Sequence, residues 1–281
     1  VPQFIVLDES KQSRHGILAF GGVVVDTDEL PTVETEWRSA RKSAGIKTGE
    51  ALKYSMHWTG GREQRAELIT AIGDLPIQAV IALLEDFRPL RMKARKATRK
   101  DSYIYREAFK YVLQRLAGDL LIPVDDHGPH LVMIDGRDDF AEMQGVFERG
   151  YRKGWPNLPH HPMPPLRKRG FSASLAACSN GPLHEIADLV VSCTARWADE
   201  RCMEHKGGKA SDVAELNNCM TDLIDLFPVA PNWIPPRRCG YSIIVHAGNR
   251  TGKELLRDNV DDWASELESA AAKRRSSDIP F

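Results

Sequence analysis

Three aspartates fall where an α/β chain presents ligands: Asp8 after the β-branched run QFIVL, Asp135 after HLVMI, and Asp188 inside the apolar helical run LHEIADLVV. If the first and fourth strands are neighbours, Asp8 and Asp135 lie side by side, because adjacent strands run about 4.8 Å apart. Carboxylates that close repel one another. A hard divalent cation, Mg²⁺ or Mn²⁺, neutralises such a group, since these ions take oxygen ligands and keep waters for a substrate phosphate. The same aspartates also suit plain turn formation, as Asp135-Gly136 shows. His184 and Glu185 share a helical face with Asp188, although an ordinary wet amphipathic face carries the same pattern.

A second signal is basic. Residues 88–100 read RPLRMKARKATRK, seven cations in thirteen positions, and Arg91, Lys93, Arg95, Lys96, Arg99 and Lys100 are the candidates for contacting a phosphate backbone. Tyr103 and Tyr105 follow and could stack on bases. A solvated charged face reads the same way. Arg167-Lys168-Arg169 and Lys273-Arg274-Arg275 are shorter versions of the signal. The stretch 247–254, AGNRTGKE, imitates a P-loop, but Glu254 replaces the hydroxyl that holds Mg²⁺. His160-His161 has no partners at metal spacing. His57 and His184 are candidates for proton transfer, a role less common for a lone histidine than a structural one.

The elements that must position these residues follow from periodicity. A hairpin opens the chain, 3–7 and 16–25, and Thr27 or Asp28 caps a helix over 29–44 that Gly45 stops. A helix over 60–73 leads to an apolar strand at 77–84, then a helix from Asp101 to about 118 and a fourth strand at 130–134. A helix near 139–150, a proline-rich loop, and a weak fifth strand over 171–178 precede a long helix, about 183–203, with Pro182 at its start. A helix over 211–227, a strand-like run at 241–246 and a helix over about 253–273 close the chain.

In this order the segments FIVLDES, FGGVVVD, LKYS, LVMIDGR and LHEIADLVVS resemble the family described as domain of unknown function 3800, over roughly residues 3–198. The resemblance implies an RNase H-like fold: a mixed five-stranded sheet, three strands antiparallel then two parallel, flanked by helices. It also implies a carboxylate cluster for two-metal phosphodiester cleavage, with Asp8 as the bridging ligand and Asp135 and Asp188 beside it. Glu50 in GEALKYS is the implied fourth acid, and Lys53 a phosphate contact. Two departures stand out: Glu185 occupies a position where the family often has glutamine, and Glu50 lies three rather than two residues before the lysine. Ordinary RNase H enzymes place the fourth acid on the helix after the third strand, where Glu107 is the alternate. Glu9 and Ser10 are expected to orient the site.

Composition bounds the rest. The chain has 281 residues, 42% hydrophobic and 27% charged, with a net charge of −1, which excludes a uniformly basic binder and leaves local patches open. Five cysteines without a CxxC encode neither a disulfide framework nor a zinc ribbon. The longest apolar run falls short of a membrane span, so a cytoplasmic protein without membrane attachment is expected. The expected organisation is an RNase H-like domain over 1–201 with a helical C-terminal elaboration, 202–281. The expected activity is a Mg²⁺- or Mn²⁺-dependent nuclease acting on nucleic acid, with a protein partner or oligomer compatible. The rival readings are a catalytically silent nucleic-acid-binding or interaction module of the same fold, or a phosphoesterase acting on small nucleotides.

Overall fold

Near-continuous apolar runs in the central strands set the architecture, because successive side chains point to opposite faces and both faces then need cover. The computed structural model describes residues 1–12, 16–47, 49–50, 52, 61–85, 102–118, 128–135, 140–155, 163–178, 181–207, 212–228, 243–247 and 255–277. At 62, 85, 102–103, 135, 178, 244–247 and 257 it describes the backbone alone. Strands β1 (Gln3–Lys11) and β2 (Leu18–Asp26) pair antiparallel, and β3 (Gln78–Glu85) continues antiparallel beside β2. On the other side of β1, β4 (His130–Asp135) and β5 (Ala176–Cys178) run parallel. This is the mixed five-stranded arrangement of an RNase H-like fold. Outside β3 a sixth strand, β6 (Ile243–Ala247), pairs parallel, giving the order β5-β4-β1-β2-β3-β6.

Helices α1 (Leu30–Ser43) and α2 (Arg62–Gly73) follow β2; α3 (Ser102–Ala117) and α4 (Phe140–Lys153) flank β4 in sequence. Then come α5 (Pro182–His205), α6 (Val213–Leu223) and α7 (Leu255–Ser277). In β1, Val6 points into the layer built with α1, α2, α5, α6 and α7, while Ile5 and Leu7 point into the layer built with α3 and α4. Helix α5 is apolar around most of its circumference and accordingly lies inside, against β1, β2 and α6. Among the described residues no helix is long and apolar enough to cross a membrane.

Gly21 and Gly22 make the sheet centre possible. A Cβ at Gly21 would stand 2.1 Å from the Val80 carbonyl oxygen, and one at Gly22 1.9 Å from that of Val6. Only glycine lets three backbones meet so closely.

The C-terminal elaboration is tied to this core. Trp197 of α5 donates its indole N–H to Asn217 of α6 at 3.0 Å, and Arg274 of α7 donates to Asp222 and Asn218 of α6 at 2.7 and 2.8 Å. Arg275 pairs with Asp225. The basic triplet 273–275 is therefore spent, in its two arginines, on holding helices together.

Two local differences from the sequence reading bear on the site. Strand β1 continues past Asp8 to Lys11, because the long apolar β2 pairs with it as far as Leu18, so Asp8 faces Gly21 within the antiparallel ladder. Only the parallel ladder with β4 stops short, at Leu7↔Ile134. The N-cap of α1 is Glu29 rather than Thr27 or Asp28, because residues 26–29 close as a turn with the Glu29 N–H donating to the Asp26 carbonyl at 3.0 Å.

Candidate functional site

Pro182 fixes the first turn of α5, and Gly181 at its N-cap is extended, which aims the helix across β1 and β2. The turn brings His184 to Asp8: Nε2 lies 3.7 Å from Oδ2, an electrostatic contact longer than a hydrogen bond. His184 is 7% exposed, so this contact sits largely out of water. Asp8 Oδ1 accepts the N–H of Glu9 at 2.8 Å. One turn along α5, Asp188 Oδ1 accepts from the Ser192 hydroxyl at 3.1 Å.

Glu185 does something different from its neighbours. Its Oε2 accepts the indole N–H of the fully buried Trp37 at 3.0 Å and pairs with Arg41, both from α1. Its Oε1 accepts the Leu52 N–H at 3.5 Å. Arg41 in turn donates to the carbonyls of Lys47, at 3.3 Å, and Glu50. One carboxylate thereby fastens α1 and the segment after it to the first turn of α5. The Glu50 side chain is exposed, and its Oε2 accepts the Lys47 N–H at 3.3 Å.

Between α1 and α5 this leaves a cavity of about 600 Å³. Arg38, Arg41 and Lys42 line it from α1, His184 and Asp188 from α5, and Glu50 from the connecting segment. The three cations recur at i, i+3 and i+4, which puts them on one face of α1. That spacing is present in the sequence, in WRSARK, within the helix expected over 29–44. Arg38 is 67% exposed at its side chain and pairs with Glu34 at 2.8 Å.

The other candidate residues are distributed as follows. The parallel register puts the backbone of Asp135 next in line beside that of Asp8, one residue beyond the last matched pair; its side chain lies outside the described atoms. Glu107 is on α3, on the opposite layer of the sheet from α5, and pairs with Lys110 at 2.5 Å, so it does not join Asp8 and Asp188. Ser10 Oγ accepts from Gln12 at 3.1 Å, and Glu9 follows Asp8 in the strand. Arg169 is buried and donates to the Gly118 carbonyl at 3.2 Å, a structural duty that removes it from the basic triplet's solvent face. Lys53, His57, Arg91, Lys93, Arg95, Lys96, Arg99, Lys100, His160, His161 and the stretch 248–254 lie outside the described residues.

Asp8 and Asp188 are oxygen donors of the kind Mg²⁺ or Mn²⁺ prefers. Among the described residues, however, no group of three or more His, Cys, Asp or Glu side chains is placed to hold a metal ion. Farther along α5, the Cys193 thiol is pushed up well above its ordinary range by its hydrogen bond with Cys219 of α6 and by burial. No family model, curated protein or solved structure matches this chain.

Proposed function

We propose that this chain is a nucleic-acid-binding module of RNase H-like fold that receives the phosphate backbone in the cavity between α1 and α5. The observation that carries the reading is the cationic wall of Arg38, Arg41 and Lys42, facing the first turn of α5 at the edge of the sheet where the β1–β4 ladder ends. Guanidinium and ammonium groups neutralise phosphates and release their counterions, which gives affinity without sequence preference. Arg41, held by Glu185, braces the wall; Arg38 and Lys42 are the more exposed charges. The resemblance of FIVLDES and LHEIADLVVS to the domain of unknown function 3800 family supports the RNase H-like fold in this reading.

The test is fluorescence anisotropy with labelled single-stranded and duplex oligonucleotides in EDTA. R38E/K42E is expected to raise Kd at least tenfold with an unchanged melting temperature. An unchanged Kd removes the cavity from the binding surface.

A second reading, divalent-metal-dependent cleavage, is favoured by the register that carries Asp8 and Asp135 side by side on adjacent parallel strands. In it Asp8, Asp135 and Asp188 would hold Mg²⁺ or Mn²⁺, and the ion would supply activation of the attacking water. His184, against Asp8, then lies where it orients that carboxylate. Mn²⁺ is expected to raise the melting temperature of the wild type but not of D8N/D188N, and to switch on cleavage of the labelled oligonucleotide. Absence of both effects eliminates the second reading and leaves the first standing. Adding mononucleotide phosphoesters to the panel separates polymer from small-nucleotide chemistry.

A further inference from the structure

A second cationic surface occupies the other end of the sheet. Helix α4 ends with Arg149, Arg152 and Lys153, all exposed, and a short 3-10 turn, Leu166–Arg169, adds the exposed Arg167 and Lys168 beside it. The turn is anchored to the first residue of β4: the His130 N–H donates to the Gly170 carbonyl and the Ser172 N–H to the His130 carbonyl, each at 2.9 Å. Asp135 is the last residue of β4, so the patch and the Asp8 edge are separated by about five residues of strand, roughly 16 Å. They are distinct surfaces.

The patch is built on a fixed corner. A Cβ at Gly150 would come within 2.6 Å of the Trp155 ring and 3.4 Å of Leu166, so glycine lets the 3-10 turn close onto α4. Trp155 and Met163 exchange backbone hydrogen bonds of 3.0 and 3.1 Å, and buried Arg169 fastens the turn to α3 through the carbonyl of Gly118. The five cations therefore keep their relative placement.

Among the described residues, these five cations differ from several other arginines in having no acid partner. Several exposed or partly exposed arginines elsewhere have one: Arg38 with Glu34, Arg201 with Glu266, Arg274 with Asp222, Arg275 with Asp225. Among the described residues, none of Arg149, Arg152, Lys153, Arg167 and Lys168 forms an ion pair. The nearby exposed acid on α4, Glu148, accepts instead from Gln144 at 3.4 Å. Five like charges on a rigid corner set up a field that concentrates a polyanion.

An anionic membrane also supplies negative charge, but a helix that lies on a bilayer buries an apolar face there. The only large hydrophobic side chain exposed among the described residues is Val1. A phosphate backbone needs cations alone. We infer that the corner formed by the end of α4 and the 3-10 turn is a docking surface for a nucleic-acid backbone, separate from the α1–α5 cavity and not dependent on the reading of that cavity.

The experiment compares the full chain with R152E/K153E/R167E/K168E and with the four corresponding glutamine substitutions, by anisotropy with a labelled 30-base-pair duplex across a salt series. The charge-reversed protein is expected to lose at least tenfold in affinity. Its plot of log K against log salt should be shallower by about 3 to 4, since each phosphate contact contributes a slope of about 0.9 on duplex DNA. The glutamine protein, which keeps the fold if charge reversal disturbs it, should lose affinity in the same direction by a smaller factor. R38E/K42E should retain the slope component that the patch variants lose, so failure at one surface is distinguishable from failure at the other. Unchanged affinity and slope in the glutamine protein overturn the inference. So does patch-dependent binding to phosphatidylserine vesicles without patch-dependent binding to the duplex.

Discussion

Glu185 has three partners brought from far along the chain, with Trp37 lying 148 residues away, and no spacing rule in the sequence could announce them. The aspartates were different. Asp8 and Asp188 were legible because Asp8 ends an apolar run and Asp188 interrupts one, and an acid so placed signals a partner or a ligand. The role of Glu185 follows from its near-burial: its side chain is 17% exposed and that of Arg41 12%, so removing one charge strands the other. E185A is expected to cost about 2–4 kcal/mol in urea unfolding, while E185Q, whose amide oxygen still accepts from Trp37, costs about 1–2 kcal/mol. Equal losses would mean that the charge contributes nothing. Cys193 supports a second prediction at this scale. Its hydrogen bond with Cys219 and its burial raise its folded pKa, so the buried thiol stays protonated and out of reach of solvent in the native protein. Iodoacetamide at pH 8 should leave Cys193 unmodified in the native protein and label it in urea, as read by peptide mass spectrometry. Labelling at equal rates in both states contradicts it.

The elements were largely legible, because long periodic segments identify themselves; α5, expected over 183–203, spans Pro182–His205. Periodicity does not encode strand order, since which strands pair depends on contacts between distant segments; the mixed five-stranded arrangement came from the resemblance and is the one seen. The adjacency of β1 and β4 rests on a parallel register from Gln3 against His130 to Leu7 against Ile134. The extension of β1 beyond Asp8 was hidden for a related reason: DESK has no β-branched residues, and it is strand only because β2 offers a partner. The paired glycines of β2 test this part of the account. G22A puts a methyl carbon 1.9 Å from the Val6 carbonyl oxygen, and relief requires moving β1, so a loss of at least about 3 kcal/mol in urea unfolding is expected. A loss under about 1 kcal/mol would show that the strands can part without cost.

At the scale of the whole molecule, a net charge of −1 conceals segregation. Cations line the α1 wall of the cavity at the Asp8 edge of the sheet, and five more stand together at the far end of β4. Several acids are spent on ion pairs with arginines: Glu185 with Arg41, Asp222 with Arg274, Asp225 with Arg275, Asp212 with Arg196. A sequence total cannot show this, because it sums over positions that only the fold separates. Binding of nucleic acid should accordingly weaken steeply between 50 and 200 mM salt, despite the overall neutrality. The most direct test of the central claim is the affinity of R38E/K42E for a labelled oligonucleotide in EDTA at low salt. A Kd at least tenfold above that of the wild type, at an unchanged melting temperature, is the predicted result, and equal Kd values for the two proteins would contradict it.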